Sequence, residues 1–178
     1  SIFDSIKSGC FAHNFFVFEK RFESLGKWCA QLSAESLGKD KKGFLPITSV
    51  GTSDLHSLYQ LFMGGPKNVF TTFVSVKKAS DLKIPSQDKD FDSILGFSGK
   101  KTAMQVFGAI QDSVVLSYSK NNLKFCEIEF EKISEQELGE FMQFKMMETL
   151  ILSKIFDVNP FGQPDVEKYK QIARKILE

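Results

Sequence analysis

The chain reads as an α/β domain built on a mainly parallel sheet with helices on both faces. Two observations carry that expectation. Short runs rich in β-branched and aromatic residues, FLPITSV (44–50), NVFTTFVSV (68–76) and LKFCEIEF (123–130), alternate with longer stretches whose apolar residues recur every three or four positions. Turn-forming residues separate them, at Gly38, at Gly64-Gly65-Pro66 and at Pro160 and Pro164. Strand–helix alternation of this kind favours parallel pairing, because each crossover helix returns the chain to the end of the sheet where the previous strand began. Ligands in such sheets sit outside the carboxyl ends of the strands.

Taken in order, residues 1–16 are apolar but irregular and read as a lead-in segment, with the domain running over 17–178. Phe18, Phe22, Leu25, Cys29 and Leu32 then draw one stripe down a long helix that should stop near Gly38, ahead of the loop KDKKG. FLPITSV predicts a short buried strand. The turn Gly51-Thr52 leads into a helix over about 54–63, closed by the Gly-Gly-Pro run. NVFTTFVSV predicts a strong strand, and SDLKIPSQDKD, containing Pro85, a polar loop. A helix is expected over 100–110 and a strand over 123–130. Ser134 and Glu137 fit a capping box that opens a long helix to about Phe156, and Val166–Leu177 forms a last helix.

Composition excludes several functions. The 178 residues carry a formal net charge of +1, so no general electrostatic attraction to nucleic acid or anionic membrane is expected. The 19 phenylalanines read as core filling. Cys10, Cys29 and Cys126 are odd in number, far apart and not in C-x-x-C pairs, which argues against a disulfide framework or zinc and for a reducing cytoplasm. No apolar run reaches the ~18 residues a membrane span needs. The start, SIFDSIKSGC, has neither Met nor the form of a signal peptide, and reads as part of something longer.

His56 is one of two histidines, in the first turn of the expected 54–63 helix and just past a strand. A helix N-terminus disfavours imidazolium, and a neutral imidazole there suits proton transfer near pH 7. From the residues alone it is either such a group or a polar surface side chain. The other histidine, His13, fits no motif and reads as structural.

Three blocks, in order, resemble the C-terminal half of the glucose-6-phosphate isomerase family: QLSAESLGK (31–39), GTSDLHSLYQLFMGGP (51–66) and VNPFGQPDVEKYK (158–170). KNVFTTFVSV, LKIPSQDKDFDSILGFSGK and LGEFMQF sit where the family has comparable segments. The resemblance implies a sugar-isomerase (SIS)-type three-layer sandwich. It also implies interconversion of glucose 6-phosphate and fructose 6-phosphate through a cis-enediol, in glycolysis and gluconeogenesis. It makes Glu35 the base that moves a proton between C1 and C2, and Gln31, four residues earlier on the same helix face, a substrate contact. It makes His56 the ring-opening residue, reaching the active site of the neighbouring subunit of a homodimer, and Lys170 the lysine beside the ring. Glu35, Gln31 and Lys170 are expected together near the carboxyl ends of the strands, with His56 pointing towards a second copy. No cofactor and no metal is implied.

The family's first half, with its phosphate grip and a Gly-Gly-Arg-Phe-Ser segment, has no counterpart here, so residues 1–16 are not expected to pack as they would in an intact protein. A non-catalytic sugar-phosphate-binding or dimerisation module of the same fold is the alternative reading. Within the third block Gly162 stands where the family has Asp or Asn, and Asp165 where it has Gly. A positive φ at Asp165 would strain the loop before the last helix.

Overall fold

In the computed structural model, which describes residues 2–77 and 101–178, the sheet has four strands, all parallel. They are β1 (Ala12–Val17), β2 (Leu45–Val50), β3 (Val69–Val76) and β4 (Lys124–Phe130), in the order β2-β1-β3-β4. The helices are α1 (Ile2–Lys7), α2 (Glu23–Leu37, preceded by a 3-10 turn at Lys20–Phe22), α3 (Ser53–Ser57), α4 (Tyr59–Gly64), α5 (Ala103–Lys120), α6 (Glu135–Phe156) and α7 (Pro164–Leu177).

The segment expected as a lead-in (1–16), described from residue 2, is part of the packed domain. Residues 12–17 are an inner strand, paired with β2 on one side and β3 on the other, and all six residues of β1 are buried. Upstream, Ile2, Ser5 and Cys10 are buried as well. The boundary at residue 17 therefore cuts through the sheet. His13 and Asn14 hide β1 in the sequence, since they break its apolar run. The structure buries both with partners: His13 Nε2 lies 2.8 Å from Thr72 Oγ1, and Ser49 Oγ donates to Asn14 Oδ1 at 2.9 Å.

Each face of the sheet carries its own apolar layer. On one, Phe15, Val17, Val50, Val74 and Phe130 pack against Phe22 and Cys29 at and in α2 and Phe141 of α6. Val17, Val50 and Val74 share one register level. On the other face, Phe16, Phe18 and Phe73 meet Phe62 of α4 and Val114 and Tyr118 of α5. A third cluster closes the amino ends of the strands, from Ile2, Cys10, Leu37, Phe70, Leu152 and Val158. Gly26 lets α2 lie close on β2, because a Cβ there would stand 2.7 Å from Thr48 Cγ2.

Several elements differ from expectation in extent. β2 is an edge strand, fully buried only at Ser49 and Val50, so Pro46 leaves no ladder donor missing inside the sheet. The 54–63 helix is split at Leu58 into α3 and α4. The helix expected over 100–110 runs over 103–120, with Val114 and Tyr118 as buried contacts one turn apart. It opens on a capping box, in which the Gln105 N–H donates to Thr102 Oγ1 at 3.2 Å and the Thr102 N–H to Gln105 Oε1 at 3.1 Å. At α6 only half of the expected box forms. Ser134 Oγ accepts from the Glu137 N–H at 3.3 Å, while the Glu137 carboxylate accepts the N–H of Lys132 instead. The loop with Pro85 and the segment LKIPSQDKDFDSILGFSGK lie outside the described residues.

Candidate functional site

α2 starts beside the carboxyl ends of the strands and runs back to their amino ends. Gly26 lies against Val17 and Thr48, whereas Leu37 joins Cys10 and Phe70 in the amino-end cluster. Glu35 is nine residues beyond Gly26, about 13 Å further down the helix at 1.5 Å per residue. The Gln31–Glu35 pair therefore sits towards the amino ends of the strands, not the carboxyl ends where the general rule for α/β sheets had placed it. Both side chains are exposed, and Gln31 Nε2 donates to Glu35 Oε1 at 2.8 Å.

α2 ends at Gly38, whose N–H bonds Ala34 O at 3.1 Å. The chain then folds back through Asp40, Lys41 and Gly43, all at positive φ. That turn presents two ammonium groups to the segment after α6. Lys39 Nζ donates to the carbonyls of Asn159 (2.6 Å) and Phe161 (3.2 Å), and Lys42 Nζ to that of Asp157 (2.9 Å). Asp157 is a left-handed C-cap for α6, and Val158 beside it is buried in the cluster that holds Leu37. The AESLGK block and the start of the third block thus meet across 120 residues of sequence.

The turn into α7 uses Gly162, at φ +73°. The left-handed position falls there and not at Asp165. Asp165 sits in the first helical turn behind Pro164, where its carboxylate accepts from Lys168 at 2.7 Å. An acid in the first turn complements the helix dipole, so the exchange of residue types between 162 and 165 leaves the last helix in place. Lys170 is on α7, its ammonium 2.7 Å from Glu167 Oε1, and this bond raises its pKa. No residue of α7 is buried; Tyr169, Ile172 and Ile176 are exposed, as are Phe144, Met147, Ile151 and Ile155 along α6.

His56 lies at the opposite end of the domain, beyond the carboxyl end of β2. It falls in the last turn of the five-residue α3 rather than in the first turn of a longer helix. Asp54 shapes this corner, accepting the Val50 N–H at 2.7 Å and the Ser57 hydroxyl at 2.9 Å. His56 is exposed. Within one chain the structure brings the first and third blocks together and leaves the second apart.

Sequence reasoning passed over Lys39 and Lys42, because their partners are backbone carbonyls, which leave no side-chain pattern to find. It also passed over Lys145, buried on α6 beside the sheet, paired with Glu148 and 5.1 Å above the Phe15 ring. Among the described residues no group of three His, Cys, Asp or Glu side chains is arranged to hold a metal ion, and no helix is long and apolar enough to cross a membrane.

Comparison with known proteins follows the same lines. The family model for phosphoglucose isomerase matches residues 1–178. The glucose-6-phosphate isomerase of Mycoplasma mycoides subsp. mycoides SC is 34% identical over 163 residues, which are 90% of this chain and 38% of that protein. The Mycoplasmopsis pulmonis enzyme of the same name is 37% identical over 163 residues, with the same two shares, 90% and 38%. Among solved structures, a hypothetical protein from Thermus thermophilus superposes with a TM-score of 0.89 at 28% identity, over 99% of this chain and 43% of that one. A glucose-6-phosphate isomerase from Chlamydia trachomatis superposes at 0.76 with 16% identity, over 95% of this chain and 35% of that one, a likeness of fold alone. This chain thus spans less than half the length of each of these four proteins. With the match extending over every residue, the chain belongs to the phosphoglucose isomerase family.

Proposed function

We propose that this chain is the C-terminal catalytic part of an isomerase that interconverts glucose 6-phosphate and fructose 6-phosphate through a cis-enediol, in the glycolysis and gluconeogenesis of a cytoplasm. Glu35 is the base. The reaction takes a proton from one carbon and returns it to the next on the same face of the sugar, which one carboxylate does without a metal. Gln31 occupies Oε1 of Glu35 and contacts the substrate, leaving Oε2 for the proton. Lys170 stands by the ring as a compact donor. His56 completes the active site of a second subunit in a homodimer, and the phosphate grip comes from an N-terminal domain matching the part of the relatives that this chain does not cover.

The observation that carries this reading is the meeting of the Glu35 segment with the segment leading to Lys170, at the end of the domain away from His56. With the base and the ring donor on segments that meet within one chain and His56 at the other end of the domain, a His56 that serves a second copy agrees with what the resemblance implies. The exposed apolar stripes on α6 and α7 support a larger assembly, since surfaces of that kind are normally covered. The test is isomerase turnover by the full-length protein and by its Glu35→Gln variant. Loss of turnover in the variant, with substrate binding retained, supports the reading. Unchanged turnover removes it and leaves the non-catalytic module.

A further inference from the structure

We propose that Lys39 is a positioning residue for this site, holding the turn before α7, and through it Lys170, in register with the α2 face that carries Gln31 and Glu35. The inference rests on the reaction proposed above for its consequence, but on geometry alone for the clamp itself. Lys39 is the first residue after the cap of α2, four positions past Glu35. Its ammonium bonds the carbonyls of Asn159 at 2.6 Å and Phe161 at 3.2 Å, two steps apart along the turn. The turn also has an internal tie, from the Phe161 N–H to Asn159 Oδ1 at 3.0 Å.

Beyond Phe161 the chain has little else to hold it. Gly162 adopts a left-handed conformation and α7 buries no residue. The charge-assisted bonds from Lys39 are the last attachments of this segment to the body of the domain that the structure records before α7 begins. Lys42 makes a similar bond two residues earlier, to Asp157 O, but Asp157 is already fixed as the cap of α6, with Val158 buried next to it. Lys42 therefore reinforces a point that is secured, whereas Lys39 secures one that is not. A lysine whose ammonium goes to backbone carbonyls also keeps its length and charge on the loop, while Glu35 keeps its bond with Gln31.

The test has two arms. In the 178-residue chain, Lys39→Met keeps the aliphatic stem and removes the ammonium, and Lys42→Met is the control. The expected result for Lys39→Met is faster amide exchange at Phe161 and through the first turns of α7, at least tenfold, with β1 and β3 unchanged. Lys42→Met is expected to alter these amides far less. Exchange in Lys39→Met equal to wild type at 159–170 overturns the clamp. In the full-length protein, Lys39→Met is expected to lower kcat and raise KM together, at least tenfold in kcat/KM, with partial rescue by Lys39→Arg. A mere loss of folded protein would lower kcat alone. If Glu35→Gln abolishes turnover and Lys39→Met leaves it intact, the positioning role is wrong and the isomerase reading stands. If Glu35→Gln has no effect, the isomerase reading and the catalytic consequence fall together, and the exchange arm alone decides whether the clamp exists.

Discussion

Gln31 and Glu35 form a hydrogen-bonded pair one helical turn apart on the exposed face of α2, with the amide donating to one carboxylate oxygen at 2.8 Å. An exposed pair of this kind contributes little to folding, so its chemistry can be altered without loss of structure. Glu35→Gln should change unfolding free energy by no more than about 0.5 kcal/mol in urea titrations. In the full-length protein it should lower kcat by roughly 10²–10⁴, the usual contribution of a positioned acid–base group. A stability loss of several kcal/mol would show that the pair is structural.

Gly162 supplies the left-handed turn into α7, at φ +73°. Gly162→Ala should cost about 1 kcal/mol, because a Cβ disfavours that backbone region. The strain falls on α7, which buries nothing, so it should appear as faster amide exchange in α7 with the global urea midpoint nearly unchanged. Asp165→Gly should loosen only the first turn, through loss of an N-terminal acid and the bond with Lys168. A larger global effect from Asp165→Gly than from Gly162→Ala would mean that the strained position is misassigned.

His13 gives the fold a pH dependence. It is buried among Phe15, Phe44 and Phe70, with Thr72 on Nε2, and the charged group that acts on it from α6 is Lys145, itself paired with Glu148. Burial first, and the Lys145 charge second, hold its pKa well below 6.5. The unfolded chain therefore takes up a proton below pH 6.5 that the folded chain refuses. The stabilising effect of the neutral imidazole is fully present above pH 6.5 and is lost as pH falls below it. Urea midpoints should drop between about pH 7.5 and pH 5, and His13→Phe should flatten that part of the profile. Lys145→Met should flatten it in part, by removing the second cause of the shift. A midpoint that rises on acidification would contradict the buried neutral state.

The three thiols should be unreactive in the native state. Burial pushes Cys29 up to about 12, and Cys10 is buried as well. Cys126 is on an exposed residue, but burial of its thiol, opposed in part by the bond with Thr72, leaves its pKa raised. At about pH 8 a disulfide reagent should modify Cys126 first and slowly, and all 3 cysteines only after unfolding. Rapid stoichiometric modification of Cys29 would show that α2 opens readily from the sheet.

The sequence was most legible where local pattern and tertiary role agree. NVFTTFVSV is β-branched, aromatic and central, and it forms β3 almost to the residue. Of the stripe drawn from Phe18 to Leu32, Phe22, Leu25 and Cys29 pack together on one face of the sheet. Phe18 precedes α2 and packs on the other face, and Ser134 caps α6 as expected. β1 was not legible, because His13 and Asn14 break its apolar run, and their partners Thr72 and Ser49 lie 59 and 35 positions away. The candidate site divides in the same way. Motif resemblance names Glu35, His56 and Lys170 as candidates and sets His56 apart from Glu35, but the end of the strands at which Glu35 lies was not legible. The direction of α2 places Glu35 at the amino ends of the strands, and the link to the third block runs through Lys39 and backbone carbonyls that carry no residue code.

The 178-residue chain by itself should not isomerise glucose 6-phosphate measurably. Its share of the Mycoplasma mycoides relative is 38%. The only arginines are Arg21 and Arg174, and Arg21 is held by Glu19 in a two-point ion pair at the far end of the domain from Glu35. Gln31, Glu35 and Lys170 stand open to solvent, and His56 lies beyond the carboxyl end of β2, away from the Gln31–Glu35 pair. Holding a substrate against its base through remote contacts lowers a barrier by as much as roughly 7–11 kcal/mol in the best cases. A missing electrostatic partner for the developing enediolate costs about a further 3–4 kcal/mol. At about 1.36 kcal/mol per tenfold, their absence together exceeds a ~10⁶-fold loss of rate. Supplying in trans a chain that matches the part of the relatives not covered here should restore some turnover, if the two associate through the apolar stripes of α6 and α7, and Glu35→Gln should remove what is restored. Robust turnover by the isolated chain would place the phosphate grip within these 178 residues and defeat the division of labour proposed here.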